Sequence, residues 1–316
     1  MTVPIVATDP RRVLLIAHTG RSDAVEVASA VCKRLMGSGL SVRLLADEAD
    51  DLNISGVEVT EPGTDAASGC EIALVIGGDG TILRAAALTR SAGTPLLGVN
   101  LGHVGFLAEA EWEDLDFTVN AIIAANYVVE ERMTVDVVVS NDGVVSSHGW
   151  ALNEASIEKT ARQRMLEVVV EIDERPLSRW GCDGIVIATP TGSTAYAFSG
   201  GGPVIWPEVE ALLMVPISAH ALFARPMVAS PSSTLAVEVS ATSEAGGVLW
   251  CDGRRSVELP PGSRVEVRRG ACPVLLARLH QAPFTDRLVA KFELPVDGWR
   301  GGAARRRQEQ QRSRDA

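Results

Sequence analysis

The chain has 316 residues, 46% of them hydrophobic and 22% charged, with a net charge of −11. That length suits one large or two ordinary globular domains, and the acidic balance excludes the broad positive field that nucleic-acid binding needs. Aromatics are scarce at 4%, with 29 Gly and 16 Pro, which points to an α/β protein with a large β component and many turns.

In chain order, residues 1–11 read as a flexible N-terminus, with Pro4 and Asp9 where a secretory signal would need a basic then apolar run. Val13 to Ala17 is a short apolar run of the kind that forms a buried parallel strand. It ends in His18-Thr19-Gly20-Arg21, and a helix is expected from about Asp23 to Met36, capped by Ser22 and ended by Gly37. Val42 to Leu45 is a second strand, Asp47 to Ser68 a loop or weak helix, and Ile72 to Ile76 a third strand. A helix from Thr81 to Arg90 and a strand from Pro95 to Val99 follow. This strand–helix alternation predicts a parallel sheet covered by helices over residues 12–126.

From residue 127 to about 280 the pattern is β-rich and mostly antiparallel, with a hairpin at Asn141-Asp142-Gly143. Strands are expected at Leu166–Ile172, Gly184–Ala188, Leu235–Val239, Val248–Cys251 and Arg264–Val267. The end, 303–316, carries five Arg against one Glu and one Asp without apolar periodicity, and reads as a disordered basic tail. No run approaches the length of a membrane span. Five widely spaced cysteines form no CxxC pair, so reduced thiols in the cytoplasm are expected and a structural metal site is not.

Four features could carry chemistry. Gly77-Gly78-Asp79-Gly80-Thr81 sits where a buried strand meets a helix N-terminus. Glycines there let backbone N–H groups approach phosphate oxygens, and the helix end adds partial positive charge. An Asp in that loop has two available tasks, holding Mg²⁺ or taking a proton from an attacking hydroxyl; a plain βα turn is the bland alternative. Thr189 to Pro203, TPTGSTAYAFSGGGP, packs hydroxyls, glycines and Tyr196 into a loop suited to a polar planar ligand, or is a Gly-rich connector. Asn153-Glu154 offers ribose-binding groups, or a surface turn. Asp183-Gly184 precedes the Thr189 loop and taken alone is a turn.

In this order and at these intervals, GGDGT, Asn-Glu, Asp-Gly and TPTGSTAY resemble the NAD kinase family. Gly98 to Glu109, GVNLGHVGFLAE, is similar to the family's connecting segment, and Ala282 to Arg300 resembles the C-terminal segment of its actinobacterial members. GGDGT is shared with lipid kinases and phosphofructokinases; TPTGSTAY is much more specific. The resemblance implies an α/β N-terminal domain with a Rossmann-like parallel sheet, a mostly antiparallel β-sandwich C-terminal domain, and a segment 281–302 packing back on the first. It implies transfer of a phosphoryl group from ATP to the adenosine 2′-hydroxyl of NAD, with Mg²⁺ bound mainly through donor phosphates, in a homodimer or homotetramer. Asp79 would accept the hydroxyl proton; Gly77, Gly78, Gly80 and Thr81 would meet phosphates. Arg84 and Arg164 match NAD-contact positions, and Phe106 either lines the adenine pocket or is core. Asn153 and Glu154 would bind ribose. Thr194, Ala195, Tyr196, Ala197, Phe198 and Ser199 would wrap the adenine end. Asp183 would touch the base or nicotinamide, in a neighbouring subunit's site if the chains assemble so. Gly181 stands where many ATP-restricted members carry a basic residue, which resembles the members that also accept inorganic polyphosphate. His220 reads as a satisfied core histidine and Arg254 as part of a hairpin turn; His18 to Arg21 either approaches the donor triphosphate or is a plain turn. The rival readings are a lipid or sphingoid-base kinase and a non-catalytic NAD-binding sensor.

Overall fold

The computed structural model describes residues 11–102, 105–111, 114–161, 163–243, 245–279 and 283–296. The basic tail 303–316, residues 1–10 of the N-terminal stretch 1–11, and residues 281–282 and 297–302 of the segment 281–302 lie outside the described residues.

The first sheet contains β1 (Arg12–Ala17), β2 (Ser41–Leu45), β3 (Glu58–Thr60), β4 (Ile72–Ile76), β5 (Leu96–Asn100), β6 (Ala110–Glu111) and β7 (Val128–Arg132). Every residue of β4 and β5, and all of β1 after Arg12, is buried, as unbroken apolar runs require when helices cover both faces of a sheet. β1, β2, β3, β4 and β5 pair in parallel in the order β3-β2-β1-β4-β5. The chain thus leaves β1 toward opposite sides, placing a switch point between β1 and β4, where ligands of open α/β sheets collect.

Helix α1 (Ser22–Gly37) buries Ala24, Ala28, Val31, Cys32 and Leu35, a stripe at helical spacing. Its ends differ from expectation. Arg21 takes the extended N-cap position without a side-chain cap, Ser22 is already helical, and the left-handed turn that ends the helix is at Gly39, with φ of 85°. The stretch 47–68, expected as a loop or weak helix, holds helix α2 (Ala46–Leu52) and, beyond that expectation, the edge strand β3, tied to β2 by Arg43 and Glu58 at 2.8 Å. Helix α3 (Asp79–Thr89) starts at the Asp of GGDGT itself. Helix α4 (Leu115–Ile123) packs against α1.

The second unit has β8 (Val135–Asn141), β9 (Val144–Ala151), β10 (Glu154–Lys159), β11 (Leu166–Ile172), β12 (Arg175–Cys182) and β13 (Gly184–Ala188). A short 3₁₀ turn, Thr191–Thr194, and helix α5 (Tyr196–Ser199) lead to β14 (Leu212–Ile217), β15 (Met227–Ala229), β16 (Leu235–Val239), β17 (Gly247–Cys251), β18 (Arg255–Leu259) and β19 (Ser263–Arg269). They form two six-stranded antiparallel sheets, β15-β14-β13-β10-β17-β18 and β12-β11-β16-β19-β8-β9. Alternate residues such as Val135, Val137 and Val139 meet Ile157, Ile185, Ile187 and Leu249 of the other sheet around fully buried Trp180, the sandwich arrangement. The β8–β9 turn has positive φ at Asp142 (49°) and Gly143 (78°), as a tight hairpin turn needs.

One strand is not where sequence division would put it. β20 (Val274–Arg278) crosses back to the first sheet, parallel to β5 and antiparallel to β7. So both β7 and β20, inside the 127–280 span, complete the N-terminal sheet. Helix α6 (Phe284–Phe292) then lies against the β5–β6 segment, where Arg287 donates to the carbonyls of Phe106 (3.3 Å) and Ala108 (2.6 Å) and pairs with buried Glu109 at 2.6 Å.

Candidate active site

The site begins at the ends of β1 and β4, which the His18 N–H to Ile76 carbonyl bond holds side by side at 3.1 Å. At Gly77 an added Cβ would come within 2.6 Å of the Thr81 hydroxyl, so only glycine lets the chain turn this tightly into α3. Gly78 and Gly80 have no neighbour within 4 Å of such a position and border open space. No side chain caps α3; the Thr81 N–H bonds the Gly78 carbonyl at 2.9 Å, and the N–H groups before it at the helix start are those a ligand could meet. They open on a cleft of about 610 Å³ lined by His18, Thr19, Gly20, Arg21, Gly78, Gly80, Thr81, Arg84 and Arg254.

Asp79 faces an adjoining cavity of about 370 Å³, bordered also by Arg21, Gly78, Asn100, Gly102, Gly105 and Lys291. Its carboxylate accepts from the N–H groups of Phe106 (3.3 Å) and Leu107 (3.2 Å). A Cβ on Gly105 would lie 2.5 Å from Oδ1, so the connecting segment both aims and encloses the carboxylate. Arg84 is less available than its sequence position implied. Its guanidinium donates to the Ala17 carbonyl at 3.0 Å and to Glu48, whose other oxygen accepts the Ala17 N–H at 3.0 Å. Burial raises the Glu48 carboxyl above its ordinary value, against the pull of these two partners.

The second unit contributes a corner. Leu152 and Asn153 carry the chain from β9 in one sheet to β10 in the other. Asp252, in the β17–β18 turn, clamps that corner by accepting the N–H groups of Leu152 (3.0 Å) and Asn153 (2.7 Å) while pairing with Arg255 at 2.8 Å. The register pairs Glu154 with Ala188, at the end of β13. The next residue, Thr189, donates its N–H to the Asn153 carbonyl (2.9 Å) and its hydroxyl to that of Leu152 (2.6 Å). The Asn-Glu and TPTGSTAY motifs are therefore one structure. Thr194 closes the 3₁₀ turn on the Thr191 carbonyl at 3.3 Å, Ala195 bonds back to Gly192 at 2.9 Å, and Ala197 is fully buried under α5. Tyr196 and Phe198 remain 36% and 40% exposed, with Ser199 exposed beside them.

Glu154 is 8% exposed, and one of its carboxylate oxygens is buried with no partner. Burial, and then the charge of Asp252, push its carboxyl up to about 8. The folded protein thus holds a proton that the unfolded chain releases near 4.5. This contribution to stability is complete below that value and is lost as pH rises toward 8. Glu154→Gln should flatten that fall: urea midpoints at pH 5.5 and 8 converge in the variant and diverge in the parent protein. Parallel changes in both proteins would contradict the buried, proton-holding Glu154.

Phe106 is not simple core. Its ring packs on Phe284 (6.2 Å between centroids) and Phe292 (5.7 Å), and Phe292 packs in turn on Phe198 (4.8 Å). The connecting segment, α6 and α5 thereby share one aromatic strip. Asp183 lies beyond it at the β12–β13 junction, where its hydrogen bond with Lys159 holds the carboxyl below its usual value. Arg164 stands on the exposed β10–β11 loop and borders neither cleft. His220 is exposed, its N–H on the Gly181 carbonyl at 2.8 Å, and so is not a core histidine. Arg254 is more than a turn residue, since it lines the cleft at the GGDGT loop of the other unit. Glu48, Asp252 and Lys291 escaped the sequence reading. Only Asp252, in a Cys-Asp-Gly turn, carried a local signal.

Residues 13–127 match the ATP-NAD kinase N-terminal domain family and residues 152–279 the ATP-NAD kinase C-terminal domain family. The NAD kinase of Thermobifida fusca is 62% identical over 308 residues, covering 95% of this chain and 94% of that protein. NAD kinase 2 of Streptomyces avermitilis is 63% identical, covering 93% of this chain and 98% of that protein. Among solved structures, yeast NADH kinase complexed with NADH superposes with a TM-score of 0.84 at 20% identity, over 92% of this chain and 90% of the yeast chain. An NAD kinase from Archaeoglobus fulgidus in complex with ATP gives 0.65 at 24% identity, over 90% of this chain and 98% of that one. At these identities the two structures establish the shared fold.

Proposed function

The chain belongs to the NAD kinase family, and on that premise we propose how its two units carry out the transfer. It is an enzyme that phosphorylates NAD; a lipid-kinase reading is not favoured, nor is a non-catalytic sensor. One observation carries the assignment of roles. Arg254 belongs to the hairpin whose Asp252 clamps Asn153, and it borders the same cleft as the GGDGT glycines. This supports a reading in which groups suited to ribose and groups suited to phosphate share one site.

In this reading Gly78 and Gly80 present backbone N–H groups to phosphate, with His18, Arg21 and Arg254 around the donor chain; the Gly77 N–H is taken by the Val99 carbonyl (2.9 Å) and that of Thr81 by the Gly78 carbonyl (2.9 Å), so Gly77 shapes the turn and Thr81 offers its hydroxyl. Arg84, tethered by Glu48, contributes to that wall rather than reaching for NAD. Asn153 and the unpartnered oxygen of Glu154 receive ribose hydroxyls. Thr194 to Ser199 wrap the adenine end, with Tyr196 as its flat face and Phe106 at its edge. Asp183 contacts the base or the nicotinamide, in a neighbouring subunit's site if the chains assemble so, and Arg164 contacts NAD outside both clefts. The 2′-oxygen attacks the terminal phosphorus of ATP, its proton passes to Asp79, and the bond to the bridging oxygen breaks so that ADP leaves with that electron pair. Positioning and charge neutralisation do most of the work in such transfers.

A divalent cation fits this site in one way. No cluster of three or more His, Cys, Asp or Glu side chains occurs among the described residues, and Mg²⁺, which keeps waters and binds through substrate phosphates, would be held mainly by the donor, with the Asn100 amide oxygen as the hard donor bordering the Asp79 cavity. Such an ion would neutralise donor-phosphate charge. A cytoplasmic setting accords with five unpaired thiols, and a homodimer or homotetramer with the exposed Leu222 and Phe223 near His220.

Gly181 supports a broad donor range. A Cβ there would meet the Met165 side chain, its methyl at 3.1 Å, and glycine itself supplies no cation to the donor phosphates. The purified chain is expected to make NADP from NAD with inorganic polyphosphate as sole donor, and to stop when Mg²⁺ is chelated. NADP at background level with polyphosphate, alongside normal turnover of ATP, would limit the donor to ATP.

A further inference from the structure

One indole ring joins the two units beside the site. Helix α3 starts at Asp79 and is followed at its far end by Arg90, about 16 Å further along the helix axis. Arg90 is held there against β8. Its guanidinium donates to the Cys272 carbonyl at 2.9 Å and to Asp136 at 3.1 Å. Asp136 is the cross-strand partner of Trp150 in the β8–β9 pair, and the Arg90 guanidinium stands over the Trp150 ring, 4.5 Å from its centroid.

A second guanidinium, that of Arg255, stands over the same ring at 4.4 Å. Arg255 pairs at 2.8 Å with Asp252, the carboxylate that accepts the N–H groups of Leu152 and Asn153. A chain of contacts thus runs from the end of α3 through Arg90, Trp150, Arg255 and Asp252 to the Asn153–Glu154 corner. Both cations lie at a distance where an indole face attracts them, and each has its own carboxylate, Asp136 or Asp252, to offset their mutual repulsion. Leu152 of the corner belongs to the same buried cluster as Ile82 and Ala85 of α3, and Trp150 packs half-buried on that cluster. In the transfer the 2′-hydroxyl must stay within hydrogen-bond reach of Asp79 while the corner holds the ribose.

We propose that Trp150 is a positioning residue of the transfer: its ring, bearing the guanidiniums of Arg90 and Arg255, fixes the ribose-holding corner relative to Asp79. This rests on the reading of Asn153 and Glu154 as ribose-binding and of Asp79 as the proton acceptor. Trp150 borders neither cleft, so it acts on the alignment of the reacting groups through Arg255 and Asp252.

The test uses the full chain as Trp150→Leu, Trp150→Phe and Arg255→Met, with ATP as donor and each variant assayed well below its melting temperature. Leucine fills apolar space but offers no ring face. It should lower kcat about tenfold to 100-fold, the effect of misplacing reacting groups by roughly 1 Å, with the KM for NAD and for ATP within about threefold of the parent's. Phenylalanine keeps a face for the guanidiniums and should bring kcat back to within about threefold of the parent's. The Arg255 side chain is 38% exposed, so Arg255→Met leaves the core intact; it cuts the same chain and should lower kcat by a similar factor. A purely structural Trp150 would lower the melting temperature and leave kcat unchanged. The proposal is overturned by a kcat equal to the parent's in Trp150→Leu or Arg255→Met, by a loss that phenylalanine does not repair, or by a loss confined to KM. Near-normal turnover in Asp79→Asn, or an unchanged KM for NAD in Asn153→Ala, would instead overturn the reading on which the proposal rests.

Discussion

Asp79→Asn is expected to lower turnover by roughly two to four orders of magnitude, the usual span for loss of a general base. The fold gives this substitution a clean interpretation. Asparagine has nearly the same shape, and its oxygen can still accept one of the two N–H groups, of Phe106 or Leu107, that now meet the carboxylate. Its amide nitrogen would oppose the other, at a cost of about 1–3 kcal/mol for the donor left unpaired. The variant should therefore fold, melt a few degrees lower and bind NAD as before, with kcat alone collapsing. Turnover within about tenfold of the parent protein would remove Asp79 from proton transfer.

The second large effect is structural. In Gly192→Ala the new Cβ would lie 2.0 Å from the Asn153 carbonyl oxygen, 2.4 Å from its carbon and 2.7 Å from its Cα. All three are backbone atoms, so no side chain can swing away. The 3₁₀ turn must lift off the Asn153 corner, breaking the Thr189 bonds to Leu152 and Asn153 and the Gly192 N–H bond to the Thr189 hydroxyl. Backbone displacement on this scale costs about 3 kcal/mol or more. NAD binding and stability should fall together, since one contact joins the two motifs proposed to hold NAD. Gly63→Ala, with no neighbour within 4 Å of the added methyl, serves as the comparison. Equal melting temperatures and NAD affinities in the two variants would show that the motifs are not coupled in this way.

Much of the molecule could be read in advance because its signals are local. The runs VLLIA and IALVI announce buried parallel strands, Asn-Asp-Gly announces its hairpin, and GGDGT announces a strand-to-helix turn that needs its glycine. What stayed hidden depends on the chain returning to itself. Nothing in VLLAR (Val274–Arg278) distinguishes a sandwich strand from one that completes a sheet begun at residue 12. Arg254 looks like a turn residue until two units close on each other. Glu48 gains meaning only from the Ala17 backbone and Arg84, and α6 takes its place only through the packing of Phe292 on Phe106 and Phe198. Periodicity cannot report such pairings, because each is fixed by packing between segments far apart in sequence.

The most direct test is to incubate the purified chain with NAD, ATP and Mg²⁺ and to follow the product by phosphorus NMR. The account predicts one new phosphomonoester signal, that of the adenosine 2′-phosphate of NADP, growing as ATP becomes ADP. ATP consumed without that signal, or a phosphate appearing at any other hydroxyl, would contradict it.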